Sequence, residues 1–212
     1  MKKDFIRKWF YLGVLFLLPV IFLLFLYPST HNYIPLDIVK TNVNDVDDFN
    51  FFDDKKTLFK DNITVLSFLG NEPMSNITSV LNLKELVYDK FRGFKKFQIL
   101  TISTSGTEVV LEEVKKEIQK ADELKYWHFA TGTPEQIQTL YSSLINDIEL
   151  DTSLNTNQVF IIDKLYNQRG RIDDRTETEV EKGKKLYGLY SYNSIKISEI
   201  KNKMSDDMRI LF

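Results

Sequence analysis

The chain has 212 residues, 43% hydrophobic and 27% charged, enough for one sizeable core and too few for two full domains. Its 28 Lys and Arg against 30 Asp and Glu leave a net charge of −2, interleaved along the chain, with no basic stripe of the kind that holds nucleic acid. Because there is no cysteine, disulfides, thiol catalysis, iron–sulfur clusters and thiolate zinc sites are excluded.

Lys2, Lys3, Arg7 and Lys8 precede an uncharged run from Trp9 to Ser29. Phe10 to Tyr27 makes about 27 Å of helix, enough to cross a hydrocarbon core, with Trp9, Tyr11 and Tyr27 placed for an aromatic belt and Pro19 in mid-span. No Lys or Arg follows until Lys40. This asymmetry predicts a cytoplasmic N-terminus over residues 1–9, a transmembrane helix over 10–27, and the remainder on the far side of the membrane. A cleaved signal would have a shorter apolar core and a small-residue cleavage site, so an uncleaved anchor is expected. Residues 28–44 read as a tether and 45–212 as the exported domain.

Asp45, Asp47, Asp48, Asp53 and Asp54 crowd around Phe49, Phe51 and Phe52 without the spacing, Gly and closing Glu of a calcium loop. A solvated hairpin is expected instead: Phe49 to Phe52, a turn at 53–56, and Thr57 to Phe59. Ile63 to Phe68 reads as a strand buried on both faces, breaking at Gly70 before a turn into a helix. Ile77, Val80, Leu81, Leu83 and Val87 line that helix, which ends near Phe91 with Gly93 as its cap. Phe97 to Thr104 is a second central strand, and Val110, Leu111, Val114 and Ile118 form one face of the helix after it.

Thr133-Pro134-Glu135-Gln136 is a strong helix start, with Thr as N-cap, Pro at the first position and Gln three residues after the cap. Ile137, Leu140, Tyr141, Leu144 and Ile145 give its buried stripe. The charged run from Asp173 to Lys185 predicts a solvated loop or short helix. Tyr187, Tyr190 and Tyr192 fit either a contact surface or a half-exposed edge strand. Ile197, Ile200, Met204, Met208 and Leu211 give a final amphipathic helix. No Gly-rich phosphate loop or nucleophile elbow is present, and the two histidines, His31 and His128, complete no catalytic set.

Phe68-Leu69-Gly70-Asn71-Glu72-Pro73-Met74-Ser75-Asn76 resembles the metal loop of the SCO/SenC copper chaperones, membrane-tethered thioredoxin-like proteins whose loop reads Phe-x-x-x-Cys-Pro-x-x-x-Cys. Three further segments carry the resemblance: Trp127-His128-Phe129-Ala130-Thr131-Gly132, Val159-Phe160-Ile161-Ile162-Asp163, and the Arg169-Gly170 start of the strand after it. It covers roughly residues 45 to 172. Ser103-Thr104-Ser105-Gly106 keeps the serine of the family's Ser-x-Asp-Pro segment but not its Asp-Pro.

The resemblance implies an α/β fold, a thioredoxin-like domain with a central mixed sheet flanked by helices, preceded by one N-terminal transmembrane helix. It also places Glu72 and Asn76 where the family has its two cysteines, and Asn155 where it has its copper-binding histidine. Glu and Asn are hard ligands, poorly matched to Cu(I). What the resemblance then implies is a non-enzymatic interaction or accessory factor in respiratory oxidase assembly at a bacterial inner membrane, with its main domain periplasmic, no cofactor and no metal at those positions. The alternative is a metal carrier using non-cysteine ligands such as Met74, Glu72 and His128.

Overall fold

A computed structural model describes residues 2–26, 35–52, 58–120 and 123–212. Tyr27 and His31, and the expected turn at 53–56, lie outside the described residues. The chain forms two compact units, Met1–Ile34 and Pro35–Phe212.

In the first unit, α1 (Lys2–Leu26) contains a stretch, Phe5–Phe25, apolar throughout except at Arg7 and Lys8 and with a mean hydropathy of 2.2. At ~1.5 Å per residue its 21 residues reach about 31 Å, the thickness of a hydrocarbon core. From Phe5 to Phe25 its side chains are exposed, as those of a lipid-facing helix would be.

The second unit is built on a mixed sheet of β1 (Asp37–Lys40), β2 (Asn50–Phe51), β3 (Ile63–Gly70), β4 (Phe97–Thr104), β5 (Trp127–Gly132), β6 (Asn155–Ile162) and β7 (Gln168–Gly170), in the spatial order β1-β7-β6-β3-β4-β5-β2, with β8 (Tyr192–Asn193) pairing β6 off this path. β3, β4 and β5 run parallel; β6 runs antiparallel to β3. Every residue of β3 and β4 is buried, as their unbroken apolar character requires of central strands covered on both faces.

Side chains alternate between two cores. One face carries Val65, Leu69, Ile99, Trp127 and Phe129. It is covered by α2 (Ile77–Leu83), which continues through a π-turn at Lys84–Tyr88 into α3 (Asp89–Phe91), by α4 (Glu108–Gln119), and by a second π-turn at Glu199–Met204 leading into α7 (Ser205–Leu211). The other face carries Leu66, Phe68, Leu100, Ile102 and Phe160 under α5 (Pro134–Ser142). Phe68, Tyr141 and Phe160 meet edge to face at centroid distances of 5.3, 5.7 and 6.2 Å, each pair adding about 0.5–1.5 kcal/mol beyond its buried area. The Thr133 capping box forms as its sequence predicts: the Gln136 N–H donates to Thr133 Oγ1 and the Thr133 N–H to Gln136 Oε1.

Three expectations are corrected. Phe49 to Phe52 does not form a hairpin with the segment before β3. Asn50 and Phe51 instead pair with Thr131 and Ala130 as an edge strand beside β5, and residues 58–59 form no strand. The phenylalanines explain this, because Phe49 and Phe51 pack into one core and Phe52 against the other, wrapping the sheet edge. Gly93 is not a left-handed cap; the positive φ falls on Lys96, immediately before β4. The tyrosine segment is neither a simple exposed surface nor an edge strand throughout. Tyr192 is fully buried in β8, Tyr187 is exposed and donates to Glu179, and between them Arg171 and Leu189 form an isolated bridge. The charged run contains α6 (Glu177–Glu181), closed by a capping box between Thr176 and Glu179 and tied by Lys184 to Glu179 at 2.8 Å.

The last helix is fixed by a buried carboxylate. Asp207 accepts from Tyr192 Oη at 2.7 Å and from the Arg171 guanidinium through Nε at 3.2 Å and Nη2. Burial, and then the neighbouring carboxylate, push the Tyr192 phenol well above its ordinary range, so it stays a neutral donor.

Candidate functional site

The resemblance points to the ends of β3 and β6. β3 terminates at Gly70, whose φ of +59° is in the left-handed region. A Cβ there would lie 1.9 Å from the Ser153 carbonyl oxygen, so only glycine permits the close approach of the segment leading into β6. The Asn71 N–H donates to that same carbonyl at 2.8 Å, and Leu69 stands opposite Asn155 in register. The turn after β3 and the segment before β6 are thus joined backbone to backbone.

The 151–155 segment is shaped by Asp151, whose Oδ1 accepts from the Ser153 N–H at 2.9 Å, Ser153 Oγ at 2.9 Å and the Asn155 N–H at 3.1 Å. Sequence reasoning passed over this organiser, although Asp followed by small polar residues is a turn signal. Beyond Gly70 the chain makes a 3₁₀ turn, Pro73–Asn76, with Pro73 buried and the Ser75 N–H and Oγ both donating to the Glu72 carbonyl, at 3.0 and 2.7 Å. From β4, Ser103 Oγ donates to the Gly70 carbonyl at 2.6 Å and shares a 2.7 Å hydrogen bond with Thr107 Oγ1. The serine of the Ser-x-Asp-Pro position thus holds the loop even though the Asp-Pro is absent.

Glu72, Asn76 and Asn155 therefore stand on segments that the fold brings to one end of the sheet. Glu72 is exposed and Asn76 half-buried. Asn155 donates through Nδ2 to Ser153 Oγ at 3.1 Å. Asn76 buries its Nδ2 with no protein partner, as does Thr104 its Oγ1 at the end of β4. An amide N–H₂ turned inward at a ligand position is a donor, which a cation repels. With two amides and one carboxylate, these residues do not fit Cu(I), which takes thiolate and thioether ligands.

The carrier set of Met74, Glu72 and His128 is not assembled. His128 lines up with Leu100 and, beyond it, Leu66, eight residues before Met74 along β3 and its turn. Alternation places His128 on the face of Leu100 and Ala130, whereas the 73–76 turn packs against α4 on the other face. Among the described residues no group of three His, Cys, Asp or Glu side chains is disposed to hold a metal ion.

A second cluster organises the β6–β7 turn. Asp163 accepts from the Leu165 and Asn167 N–H groups at 2.8 and 2.9 Å and from Arg169 Nε at 2.8 Å, while Arg169 Nη1 donates to the Leu36 carbonyl at 2.7 Å. Burial works to raise the Asp163 pKa, but those donors together hold it below the ordinary carboxylate value. The Ile162-Asp163 and Arg169-Gly170 positions of the resemblance are a turn and its clamp.

No protein-family model matches this sequence, and no curated protein matches it. Solved structures do. A SCO1/SenC family lipoprotein from Bacillus anthracis superposes with a TM-score of 0.53 at 15% identity, over 82% of this chain and 96% of that one. BsSco, described as a member of the Sco family of cytochrome c oxidase assembly proteins and as carrying a disulfide switch, gives 0.54 at 14% identity, over 84% and 98%. The domain has the SCO/SenC fold. Within that fold this chain has Phe68 and Pro73 at the two fixed non-cysteine positions of the loop that it resembles, and contains no cysteine. A disulfide switch such as that described for BsSco has no counterpart here.

Proposed function

We propose that the chain is a membrane-anchored, non-catalytic protein of SCO/SenC type, an interaction or accessory factor in respiratory oxidase assembly that uses neither thiol redox nor family-type copper binding. The observation that carries this reading is the joined loop pair at the ends of β3 and β6, held by Gly70, Asn71 and Ser153, with Glu72, Asn76 and Asn155 at the ligand positions. The frame is intact while its donors are unsuited to the metal. The assembly role rests on the description of BsSco.

In this reading residues 1–9 lie in the cytoplasm and 10–27 span a bacterial inner membrane; the tether expected over 28–44 gives up Pro35 onward, with β1, to the sheet, and the domain over 45–212 with that strand is periplasmic. The Lys and Arg before the apolar run, with none after it until Lys40, support that orientation.

Two measurements on the full-length protein test the proposal. Affinity purification from native membranes should recover oxidase assembly components or another SCO-like protein; recovery of neither removes the respiratory role and leaves only the fold. Competitive titration with Cu(I) and Cu(II) should show no one-to-one binding tighter than micromolar. Tighter binding would return the chain to the copper carriers.

A further inference from the structure

The sheet ends at β2, and the surface around that edge has no part in the proposed role. The Phe52 N–H donates to the Phe129 carbonyl at 3.0 Å, so Phe52 and Phe129 are a hydrogen-bonded pair of the antiparallel ladder. Alternation then turns the N–H and C=O of Phe51, opposite Ala130, away from β5 and toward the open side. An edge in this state is a template for one further strand.

A groove lies on each face of this edge, because Phe49 and Phe51 pack toward α5 and Phe52 toward α4. On the α5 face, residues 44–48 run beside the helix and enclose about 310 Å³ over a floor of Phe49 and Leu140, with Asp48 and Glu135 on the rim. Hydrogen bonds hold both ends of that groove: the Asn44 N–H donates to Ser143 Oγ at 3.1 Å, and Gln136 Nε2 donates to the Asp48 carbonyl at 3.0 Å. On the α4 face a more open groove is lined by Phe52, Glu108, Val109, Glu112, Glu113 and Lys116, with Val109 76% exposed. Side chains alternate along a strand, so one added outside β2 drops successive side chains into one groove and then the other.

Both grooves carry the same sign of charge. Asp48, Glu108, Glu112, Glu113 and Glu135 stand against Lys116 and Lys115, whose Nζ lies 6.0 Å from the centroid of the Phe129 ring. Asp45, also in the first groove, is engaged by the Val46 and Phe59 N–H groups at 2.8 and 3.2 Å. Among the described residues no Lys or Arg forms an ion pair with Asp48, Glu112, Glu113 or Glu135. Hydrogen bonds from its own N–H and from Thr133 hold the Glu135 carboxyl below its ordinary pKa, so it stays charged. Residues 53–57, next in the chain, add two Asp and two Lys and leave the balance unchanged.

Acidic rims over apolar floors, set on both faces of a free strand edge, select one kind of occupant. It is an extended segment whose Lys or Arg stems lie over Phe49, Phe52 and Val109 while their cationic heads meet the carboxylates. We propose that β2 is the docking edge for a basic, extended segment of a partner protein, which pairs with Phe51 through its backbone.

The probe is a fluorescent peptide, Val-Lys-Lys-Val-Lys-Lys, titrated against the full-length protein in nanodiscs of phosphatidylcholine, which has no net charge to attract it. It should bind, slow hydrogen exchange in the 49–52 segment, and lose at least about tenfold in affinity for the Asp48→Lys, Glu113→Lys double variant, whose substituted side chains are exposed. The same peptide N-methylated at every second residue should lose as much against the unchanged protein, because it can no longer donate along the edge. Failure of the first peptide to bind, or equal binding by parent and double variant, overturns the proposal. Equal binding of the N-methylated peptide, or the same slowing of exchange with spermine, overturns it in favour of free cations. Slowed exchange in the 49–52 segment that rises with protein concentration and needs no peptide overturns it in favour of a second copy of the chain.

Discussion

Between β3, β4 and β5 and the first turns of the helices that follow them stand Glu72, Glu108 and Glu135, and residues 61–83, 97–114 and 126–163 contain no Lys or Arg. Just before the same strands stand Lys60, Lys95, Lys96 and Lys125. One end of the sheet is acidic and held by close backbone contacts, Gly70 against Ser153 and Ser103 against Gly70. The other mixes these lysines with Asp61, Asp163 and Glu123, and Lys95, Lys96 and Lys125 are exposed there. The difference separates two kinds of sensitivity: substitutions at Gly70 and Ser103 disturb the fold, and those at the exposed Lys95, Lys96 and Lys125 leave it standing.

The largest change expected comes from restoring ligands to the acidic end. If the frame there is as rigid as its hydrogen bonds imply, the combined Glu72→Cys, Asn76→Cys and Asn155→His variant should gain tight one-to-one Cu(I) binding that the parent chain is proposed to lack. Competitive titration reads this directly, and a variant that folds without binding would show that the two loops are not held in register.

Next in size is Gly70→Ala, which sets a methyl group against the Ser153 carbonyl in a left-handed backbone. A loss of about 3 kcal/mol is expected in chemical unfolding. Gly106→Ala, with φ of +96° but open space around its Cβ, should cost only about 1 kcal/mol of backbone strain. Equal losses would show that strain, and not the Ser153 contact, dominates at Gly70.

Asp163→Asn, at the β6–β7 turn, should cost about 2–3 kcal/mol by weakening the bond to Arg169 and turning one acceptor into a donor. The carboxylate has a depressed pKa in the folded state, so its contribution is complete above the unfolded value of about 3.9 and is lost as pH falls through the folded value. The stability difference between parent and variant should therefore shrink on acidification below about pH 4. A difference that stays constant to lower pH would contradict the assigned hydrogen bonds.

The smallest effect on stability belongs to the lysines at the other end. Lys95→Glu, Lys96→Glu and Lys125→Glu, each on an exposed side chain, should shift unfolding by no more than about 0.5 kcal/mol apiece. A larger loss would mean that these lysines hold the fold as the acidic-end residues do, and the contrast between the ends would fail.

The sequence showed the central strands, the apolar helix at the N-terminus and the Thr133 capping box because each rests on a local pattern: an unbroken apolar run, its length, or a cap with its partner three residues on. The Phe49 hairpin failed because pairing is a tertiary choice. Nothing local shows that Asn50 and Phe51 find Thr131 and Ala130, some eighty residues away. Gly93 misled for a similar reason, as glycine permits a left-handed backbone without requiring one, and Lys96 adopts it instead. At the candidate site, Glu72, Asn76 and Asn155 follow from the Phe68 and Pro73 register of the loop, whereas the part played by Asp151 and Ser153 depends on a contact with Gly70 some eighty residues away that no local pattern carries. Tyr192 looked like a surface tyrosine until its partner Asp207, fifteen residues later, was in place.

That pairing bears on how the domain is made. Ile200, Met204 and Met208 complete the core on one face of the sheet, and Asp207 answers Arg171 and Tyr192. A nascent chain that has reached residue 200 has synthesised every strand, α2 and α4, yet leaves the part of that face under Met204 and Met208 uncovered, with Arg171 still without its buried carboxylate. The N-terminal helix can engage a membrane long before this. Folding of the domain is therefore set to close late in synthesis, and until residue 208 emerges the exposed sheet face is where a chaperone, or an unwanted neighbour, would bind.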